Sequence, residues 1–389
     1  MSPPPQPRLR APEAAILSRV PLPDISPLDL LVRRERIDEY RIAEAGRPEL
    51  APGDVELAVD LFGLTANNIT YAVVGERLGY WKFFPHPEAE WGRVPVWGFG
   101  VVARSAAGDV AEGERFYGYF PLSTHLVVRP ARVDAGGFVD ATPHRAELPA
   151  IYNRYRRAGS EPAYTADTEP EQVILRPLFG TSFLLADFLI EQGFHGADTV
   201  VVSSASSKTA WGTALLIAQR RLHQRQLVGL TSPHSVDTVA RMGLYDRVVS
   251  YGDIASLPAS RPAIYVDFSG SSAIRAAVHH HFRDTLRASV SVGFTHRDEL
   301  GGESDIPRPR PQLFFAPDRL EQRRRDWTPA GLMERLAEAW SAVLEPVRDP
   351  ERGWLRIQRG RGPEAIARTY EALAAGRVRP DVAHVLSFT

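Results

Sequence analysis

The stretch at residues 199–218, TVVVSSASSKTAWGTALLIA, constrains this chain more than any other. A β-branched run, Thr199-Val200-Val201-Val202, stops at Ser203-Ser204-Ala205-Ser206-Ser207-Lys208. Trp211, Leu215, Ala218 and Leu222 then fall on one helical face. The pattern predicts a strand, a turn of small residues and a helix. Such a turn lets a phosphate approach the unsatisfied N–H groups of a helix N-terminus, where the helix dipole favours negative charge. Ser204, Ser207 and Ala210 stand about where a dinucleotide fingerprint has glycines, so a buried strand followed by an ordinary helix fits the same letters.

Composition narrows the classes of function. A chain of 389 residues suggests about two to three domains. Forty-six Lys and Arg side chains against 47 Asp and Glu give a formal charge of -1, which gives no global pull towards nucleic acid or an anionic membrane. The chain has no cysteine, which excludes disulfides and thiolate metal ligands and fits a reducing cytoplasm, the expected location. The opening MSPPPQPRLRAPEAA is proline-rich and lacks the apolar core of a signal peptide, so residues 1–20 read as a disordered lead-in. No uninterrupted apolar run approaches ~20 residues, and no membrane span is expected.

The two halves of the chain differ in texture. Residues 55–61 alternate with period two, and further strand-like runs at 94–103, 111–119 and 125–128 are punctuated by Gly and Pro, which predicts a barrel-like domain up to about residue 150. Within it the aromatic insertion Tyr80-Trp81-Lys82-Phe83-Phe84-Pro85-His86-Pro87 suits the lining of a cleft, and equally simple packing. Residues 152–172 are polar and read as a linker or insertion. Beyond a helix at 178–194, strands at 200–202, 227–230, 248–250, 264–267 and 288–294 alternate with helices, the signature of a doubly wound parallel sheet. Leu313-Phe314-Phe315-Ala316 is placed to form an edge of that sheet. An amphipathic helix at 329–345 leads back to strands and a helix resembling the first domain.

With GDVELAVDLFGLTANN, VPVWGFGVVARS, EGERFYGY, the 199–218 stretch and GLYDRVVSY in this order, the chain resembles the zinc-independent medium-chain dehydrogenase/reductase superfamily. Within its quinone oxidoreductase and enoyl reductase branch it looks closest to an uncharacterised subfamily, marked by VSSASSKTAWG, RPLFGTSF and MGLYDRVVSYGDI. The resemblance implies an α/β fold: a GroES-like, partly open β-barrel catalytic domain over 21–175, completed by 345–389, and a Rossmann nucleotide-binding domain over 176–327, joined by a helix at 328–344. It further implies NADP(H)-dependent reduction of an activated C=C bond or a quinone by hydride transfer. A redox-inactive NADP(H)-binding sensor, or a redox-neutral lyase or isomerase on the same fold, stays open beside it. A homodimer through the edge strand at Leu313–Ala316 is also implied, with a small-molecule substrate as the other partner.

Position by position, the resemblance places the pyrophosphate on Ser204, Ser206, Ser207, Lys208 and Thr209. Lys208 adds a charge that suits a pyrophosphate or a 2′-phosphate, although a lysine at a helix start is often only a solvated surface residue. Thr231 and Ser232 end the second strand, where an NAD site offers a carboxylate; small hydroxyls leave room for the 2′-phosphate of NADP(H). Tyr251 matches a tyrosine near the adenosine end. Thr181, Ser269 and Phe294 match the nicotinamide side, with a helix N-cap as the plain alternative for Thr181. Where zinc enzymes of the superfamily carry a cysteine and a Gly-His-Glu, this chain reads Thr65-Ala66-Asn67-Asn68 and Trp97-Gly98-Phe99, so no metal site is expected. His279-His280-His281 reads as a solvated helix face. Polar groups that can position an acceptor and stabilise its oxygen are Thr65, Asn68, Tyr71 and Lys82, the expected catalytic set.

Overall fold

The structure, a computed structural model, describes residues 27–161, 164–220, 225–292 and 306–389. The lead-in at 1–20 and Phe294 lie outside the described residues.

Ten strands occupy the first part of the chain: β1 (Leu28–Arg33), β2 (Tyr40–Glu44), β3 (Val55–Leu64), β4 (Trp91–Arg93), β5 (Pro95–Ser105), β6 (Arg115–Pro121), β7 (His125–Val128), β8 (Pro130–Asp134), β9 (Gly137–Asp140) and β10 (Arg154–Arg157). Two short helices, α1 (Ala66–Val73) and α2 (Gly75–Leu78), follow β3. The long helix α3 (Glu169–Glu191) leads to β11 (Thr199–Val202), α4 (Lys208–Gln219), β12 (Gln226–Thr231), α5 (Val236–Arg241), β13 (Arg247–Ser250), β14 (Ala263–Asp267), α6 (Ser272–Phe282), β15 (Leu286–Val292) and β16 (Gln312–Phe314). The chain closes with α7 (Ala316–Arg348), β17 (Arg356–Arg361), α8 (Pro363–Ala374) and β18 (Val382–Ser387).

Three sheets result. β2-β1-β4 is a small antiparallel sheet, and β17-β18-β3-β5-β6-β10-β9-β8, with β7 also on β3, forms a nine-stranded one. The last two strands of the chain thus complete the sheet that the first strands begin. The third sheet is entirely parallel, in the order β13-β12-β11-β14-β15-β16. Numbered within itself this is 3-2-1-4-5-6, the doubly wound Rossmann order, whose ligand crevice lies beyond the carboxyl ends of the strands where the order reverses. Here that is the end of β11 and β14. β16 is the free edge, as the apolar run at 313–316 predicts.

Residues 152–172 are not a linker. They supply β10, which pairs with β6 and β9, and the first turn of α3. The alternation signal is hidden there by Arg154, Arg156 and Arg157, whose heads reach Asp134, Glu161 and Glu114. α3 begins nine residues before the predicted helix, at Glu169, with Pro170 in the first turn where its missing N–H costs nothing. With the turn before it, α3 is long and apolar enough to cross a membrane by length and composition, yet half of its apolar window is buried inside the molecule. It packs on α4 and α7 and also on β3, β5 and β18, joining the nine-stranded sheet to two helices of the second half of the chain. α7 is kinked at Thr328, where φ is 62°, so the predicted helix start at 329 is the beginning of its second arm.

The histidine triplet also departs from expectation. His279 is fully buried; Nδ1–H donates to Pro307 O (2.8 Å), which leaves Nε2 to accept from Ser289 Oγ (2.9 Å). Consecutive helix residues point in different directions, and here the first points into the core. His281 Nε2 bonds to Leu257 O (2.9 Å).

In β5 and β6 the side chains alternate between faces. Gly98 pairs with Gly118 on one face, and Trp97 and Phe99 pair with Tyr119 and Tyr117 on the other. Gly118 makes room for Tyr155: a Cβ there would stand 2.4 Å from its ring. Tyr155 is fixed, since its hydroxyl donates to Tyr119 O (2.5 Å) and accepts from Arg145 Nη1 (3.1 Å). Gly118→Ala is therefore expected to destabilise the protein by about 1–3 kcal/mol through overpacking, read as a lower urea midpoint at an unchanged slope.

Candidate functional site

The predicted phosphate turn sits at the reversal point of the parallel sheet. Ser203 is fully buried, and its Oγ donates to Asp267 Oδ1 (3.0 Å) while accepting from the N–H groups of Phe268 (3.1 Å) and Ser269 (3.2 Å). This one hydroxyl ties the end of β11 to the end of β14. Ser204 takes φ 51°, in the left-handed region that glycine prefers, so the serine accepts a local strain of about 1–2 kcal/mol to make the turn. Its N–H donates to the Tyr251 hydroxyl (3.1 Å), and Ala205 N–H to Leu230 O (3.0 Å). The turn lies close against β12, where Gly229 leaves only 2.9 Å between a would-be Cβ and Ala205.

Ser207 is the N-cap of α4, its Oγ accepting from Ala210 N–H (3.3 Å). Among the described residues the N–H groups of Ser206, Lys208 and Thr209 have no acceptor. These three amides, with the dipole of α4 behind them, are free donors at the turn where the sequence leads one to expect a phosphate. Lys208 is half-buried, and its Nζ donates to Pro380 O (3.3 Å), just before β18. Burial lowers its pKa to about 8, against an opposing pull from Asp381. Lys208 is thus neither a free surface lysine nor a saturated one; it is a partly dehydrated cation between the two large sheets.

The remaining cofactor positions divide. Thr231 is buried, with Oγ1 donating to Ser206 Oγ (3.4 Å), so the second strand and the turn are directly coupled. Ser232 Oγ is shared with His234 Nε2 (3.1 Å) and Ser235 Oγ (3.2 Å). Ser269 Oγ donates to Asp267 Oδ1 (2.8 Å) and accepts from Ser271 N–H, a turn-holding role. Thr181 lies in the middle of α3 and is no helix cap.

The expected catalytic set also separates. An open cleft lies between the nine-stranded sheet and α3, lined by Gly63, Thr65, Asn67, Asn68, Trp97, Val173, Ile174, Pro177 and Leu178. Pro177 has no N–H, which leaves the carbonyl of Val173 without its helical donor. That carbonyl faces Gly63, where a Cβ would stand 2.6 Å away. Thr65 is the N-cap of α1 in a capping box with Asn68: Asn68 Oδ1 accepts from Thr65 N–H (2.8 Å) and Thr65 Oγ1 (3.2 Å), and Nδ2 donates to Pro95 O (2.9 Å). Asn68 lines the cleft with most of its hydrogen-bonding capacity already used. Lys82 is exposed on the short turn Tyr80–Lys82 and is not among the cleft-lining residues, because that turn buries Trp81 and turns its neighbour outwards.

Tyr71 is buried, and its hydroxyl accepts from Asn67 Nδ2 (2.8 Å), which leaves its own proton free. Burial, reinforced by Tyr80, pushes its pKa up to about 12. Around it stand Tyr80, Phe83, Tyr119, Tyr152 and Trp97. Sequence reasoning misses Trp97, Tyr117, Tyr119 and Tyr152, although aromatic residues two apart in Trp97-Gly98-Phe99 and Tyr117-Gly118-Tyr119 already mark one face of a strand pair. His384 is missed as well. It pairs in register with Leu64 beside Thr65, and its buried Nε2 has no partner. Burial and then Lys208 lower its pKa. Only the return of β18 to β3 brings it here.

Among the described residues no group of three or more His, Asp or Glu is arranged to hold a metal ion.

No curated protein matches the chain. Among solved structures, CurA from Vibrio vulnificus in complex with NADPH is similar at a TM-score of 0.59 and 12% identity, covering 94% of this chain and 99% of that one. The yhdH oxidoreductase from Salmonella enterica in complex with NADP is similar at 0.51 and 16%, covering 93% and 100%. The quinone oxidoreductase from Coxiella burnetii is similar at 0.50 and 13%, covering 93% and 99%. The fold is that of the medium-chain dehydrogenase/reductase structures, a GroES-like domain with a Rossmann domain, as the resemblance implies. A family model described as "Protein of unknown function (DUF2855)" matches residues 62–379, and the chain belongs to that family.

Proposed function

We propose that the protein is an NADP(H)-dependent, zinc-free reductase of an activated C=C bond or a quinone. The observation that carries this reading is the Ser203–Thr209 turn: three unpaired amides and a partly dehydrated lysine at the strand reversal of a 3-2-1-4-5-6 sheet. The similar structures from Vibrio vulnificus and Salmonella enterica are complexes with NADPH and NADP. The residues present fit such a cofactor. Ser206, Lys208 and Thr209 amides and the Lys208 ammonium suit a pyrophosphate. Thr231-Ser232 offers no carboxylate to repel a 2′-phosphate, and His234 beside Ser232 is the adjacent basic group.

NADPH supplies a hydride when bound. The chain's own groups bind, orient and polarise. The freed Val173 carbonyl is an acceptor in the cleft for an amide donor, and Thr65 and Asn68 hold the opposite wall by their cap. Tyr71 keeps its proton at neutral pH and donates to an accepting oxygen. The absence of cysteine, together with Thr65–Asn68 and Trp97–Phe99 at the zinc-ligand positions of relatives, supports a metal-free reaction. The unpaired edge of β16, with Phe315 exposed beside a groove lined by Phe188, Leu313 and Phe314, supports the proposed homodimer.

Purified protein is expected to bind NADPH in a fluorescence titration and to oxidise it with a panel of enones and quinones. NADPH binding without turnover across the panel favours a sensor; substrate conversion at constant NADPH absorbance favours a lyase or isomerase; absence of NADPH binding overturns the reading.

Lys208→Met is expected to weaken NADPH about tenfold, a loss of ~1.4 kcal/mol. With a pKa near 8, wild-type affinity falls as pH rises from 7 to 9, and the variant's does not. Stability moves the other way. The folded pKa lies below the ordinary lysine value of 10.5, so the unfolded chain binds more protons between pH 8 and 10.5 and wild-type stability rises through that window. Urea unfolding of Lys208→Met should lack this rise.

Light scattering at micromolar concentration is expected to give a dimer mass, and Phe315→Glu a monomer.

A further inference from the structure

Two arginines beside the cleft share a single carboxylate. Arg156, on β10, and Arg176, on α3, both donate to Glu161. Their side chains are 46% and 20% exposed and that of Glu161 is 21% exposed, so the group is partly withdrawn from water yet open to it. Arg176 also donates to a neutral acceptor, Gln172 Oε1 (3.2 Å). The cluster therefore carries two positive charges against one negative.

Deeply set arginines elsewhere in the chain are better matched. Arg115 lies between Asp60 and Glu169, and Arg145 meets Asp140. Arg319 and Arg323 share Asp187 and Glu191, with Asp326 as a third acid. The ionisation behaviour follows the pairing. Burial lowers the pKa of Arg176 against the opposing pull of Glu161, and Arg156 acts in the same direction as burial. For Arg115, Arg145 and Arg323 the partners overcome burial and the values are raised. A partly buried cation in excess is stabilised by an anion that reaches it.

Position ties this excess charge to the cleft. Arg176 stands on α3 between Ile174 and Pro177, two residues of the cleft lining. Residues three apart on a helix are neighbours, so it flanks Val173 at the edge of the lining stripe. Its guanidinium lies 4.6 Å from the centroid of the Tyr117 ring, which stacks on Trp97 of the opposite wall at 5.6 Å and 17°. The charge is thus one aromatic ring removed from the cleft. The size of the imbalance selects the ligand. One negative charge completes it, and the planar guanidinium pairs with a planar carboxylate through parallel N–H donors. A phosphate monoester, with about two charges at neutral pH, leaves an excess of the other sign.

We propose that Arg156 and Arg176 form a subsite for the carboxylate of an organic acid, which takes the Arg176 guanidinium and leaves Glu161 to Arg156. Two cations then meet two carboxylates. This adds an anionic tail to the acceptor of the reductase site, and rests on that reading for the reaction but not for the binding.

The test is calorimetric binding to the full chain without cofactor, using benzoate and benzamide, which share the ring and differ in charge. Wild-type protein is expected to bind benzoate at least about tenfold more tightly than benzamide. Arg176→Gln is expected to weaken benzoate about tenfold and leave benzamide unchanged, with Arg156→Gln, at the more exposed position, as a second charge-removing variant. Glu161→Gln is expected to act in the opposite direction, tightening benzoate several-fold and making the melting temperature more responsive to added benzoate than in wild type. Equal affinities for the two probes, or a benzoate affinity that none of the three substitutions moves, overturns the inference. A benzoate affinity lost in Lys208→Met and kept in Arg176→Gln puts the anion at the serine turn and overturns it as well. Benzoate preference that follows these variants in a protein that fails to bind NADPH keeps the subsite and overturns the reductase reading; NADPH turnover with no preference between the probes does the reverse.

Discussion

The packing of α3 between the nine-stranded sheet and the helices α4 and α7 is the contact on which the rest depends. It requires close approach at two places. Gly63 at the end of β3 lets the backbone of Val173 come within 2.6 Å of where a Cβ would be, and Gly212 lets α4 approach Ser182 Oγ to 2.9 Å of the same. A side chain at Gly63 would push the helix off the nine-stranded sheet, and one at Gly212 would push it off α4. Because the helix is seated on both, the cleft has Thr65, Asn68 and Trp97 on one wall and Val173, Pro177 and Leu178 on the other. Arg319 and Arg323 of α7, buried against Asp187 and Glu191 of α3, fix the far end of the same helix. Burying two guanidinium groups is tolerable only because two carboxylates on neighbouring turns meet them.

The phosphate turn achieves with serines what glycines commonly do. A glycine would supply the left-handed conformation without strain and leave the backbone bare. Here Ser204 takes φ 51°, and hydroxyls are used to fasten the turn to its surroundings: Ser203 to Asp267 and the loop after β14, Ser207 to the first turn of α4, Ser206 to Thr231. The result is a turn whose free donors are amides and whose side chains serve mostly as fasteners. The one charge, Lys208, is oriented by a carbonyl from the loop that precedes β18.

The parallel sheet and its order of elements were legible in the chain because β-branched runs such as Val200-Val201-Val202 and Ile264-Tyr265-Val266 must be buried on both faces. The serine turn was legible as a turn because it sits at the carboxyl end of the first of those runs. Where charged residues interrupt a strand the signal failed: Arg154, Arg156 and Arg157 masked β10, whose arginines extend to acidic partners on neighbouring strands and turns. His279 misled for a similar reason. Three adjacent histidines look solvated, but a helix sends each one in a different direction and the first found Ser289 and a backbone carbonyl.

The sequence by itself determined the local chemistry: period-two strands, the small-residue turn before Lys208, the lack of thiolate ligands. Each depends on residues close together in the chain, and backbone geometry converts that spacing into position directly. Only the tertiary structure decided which of these groups meet. Asn68 became a cap partner with little left to offer, Lys82 went to solvent, and His384 and Lys208 were brought together from opposite sheets. Trp97, Tyr117, Tyr119 and Tyr71 became a single aromatic cluster through the register of β5 on β6 and the seating of α1 beside them. Register and helix placement are set by the summed packing of distant segments, and no local pattern carries that information.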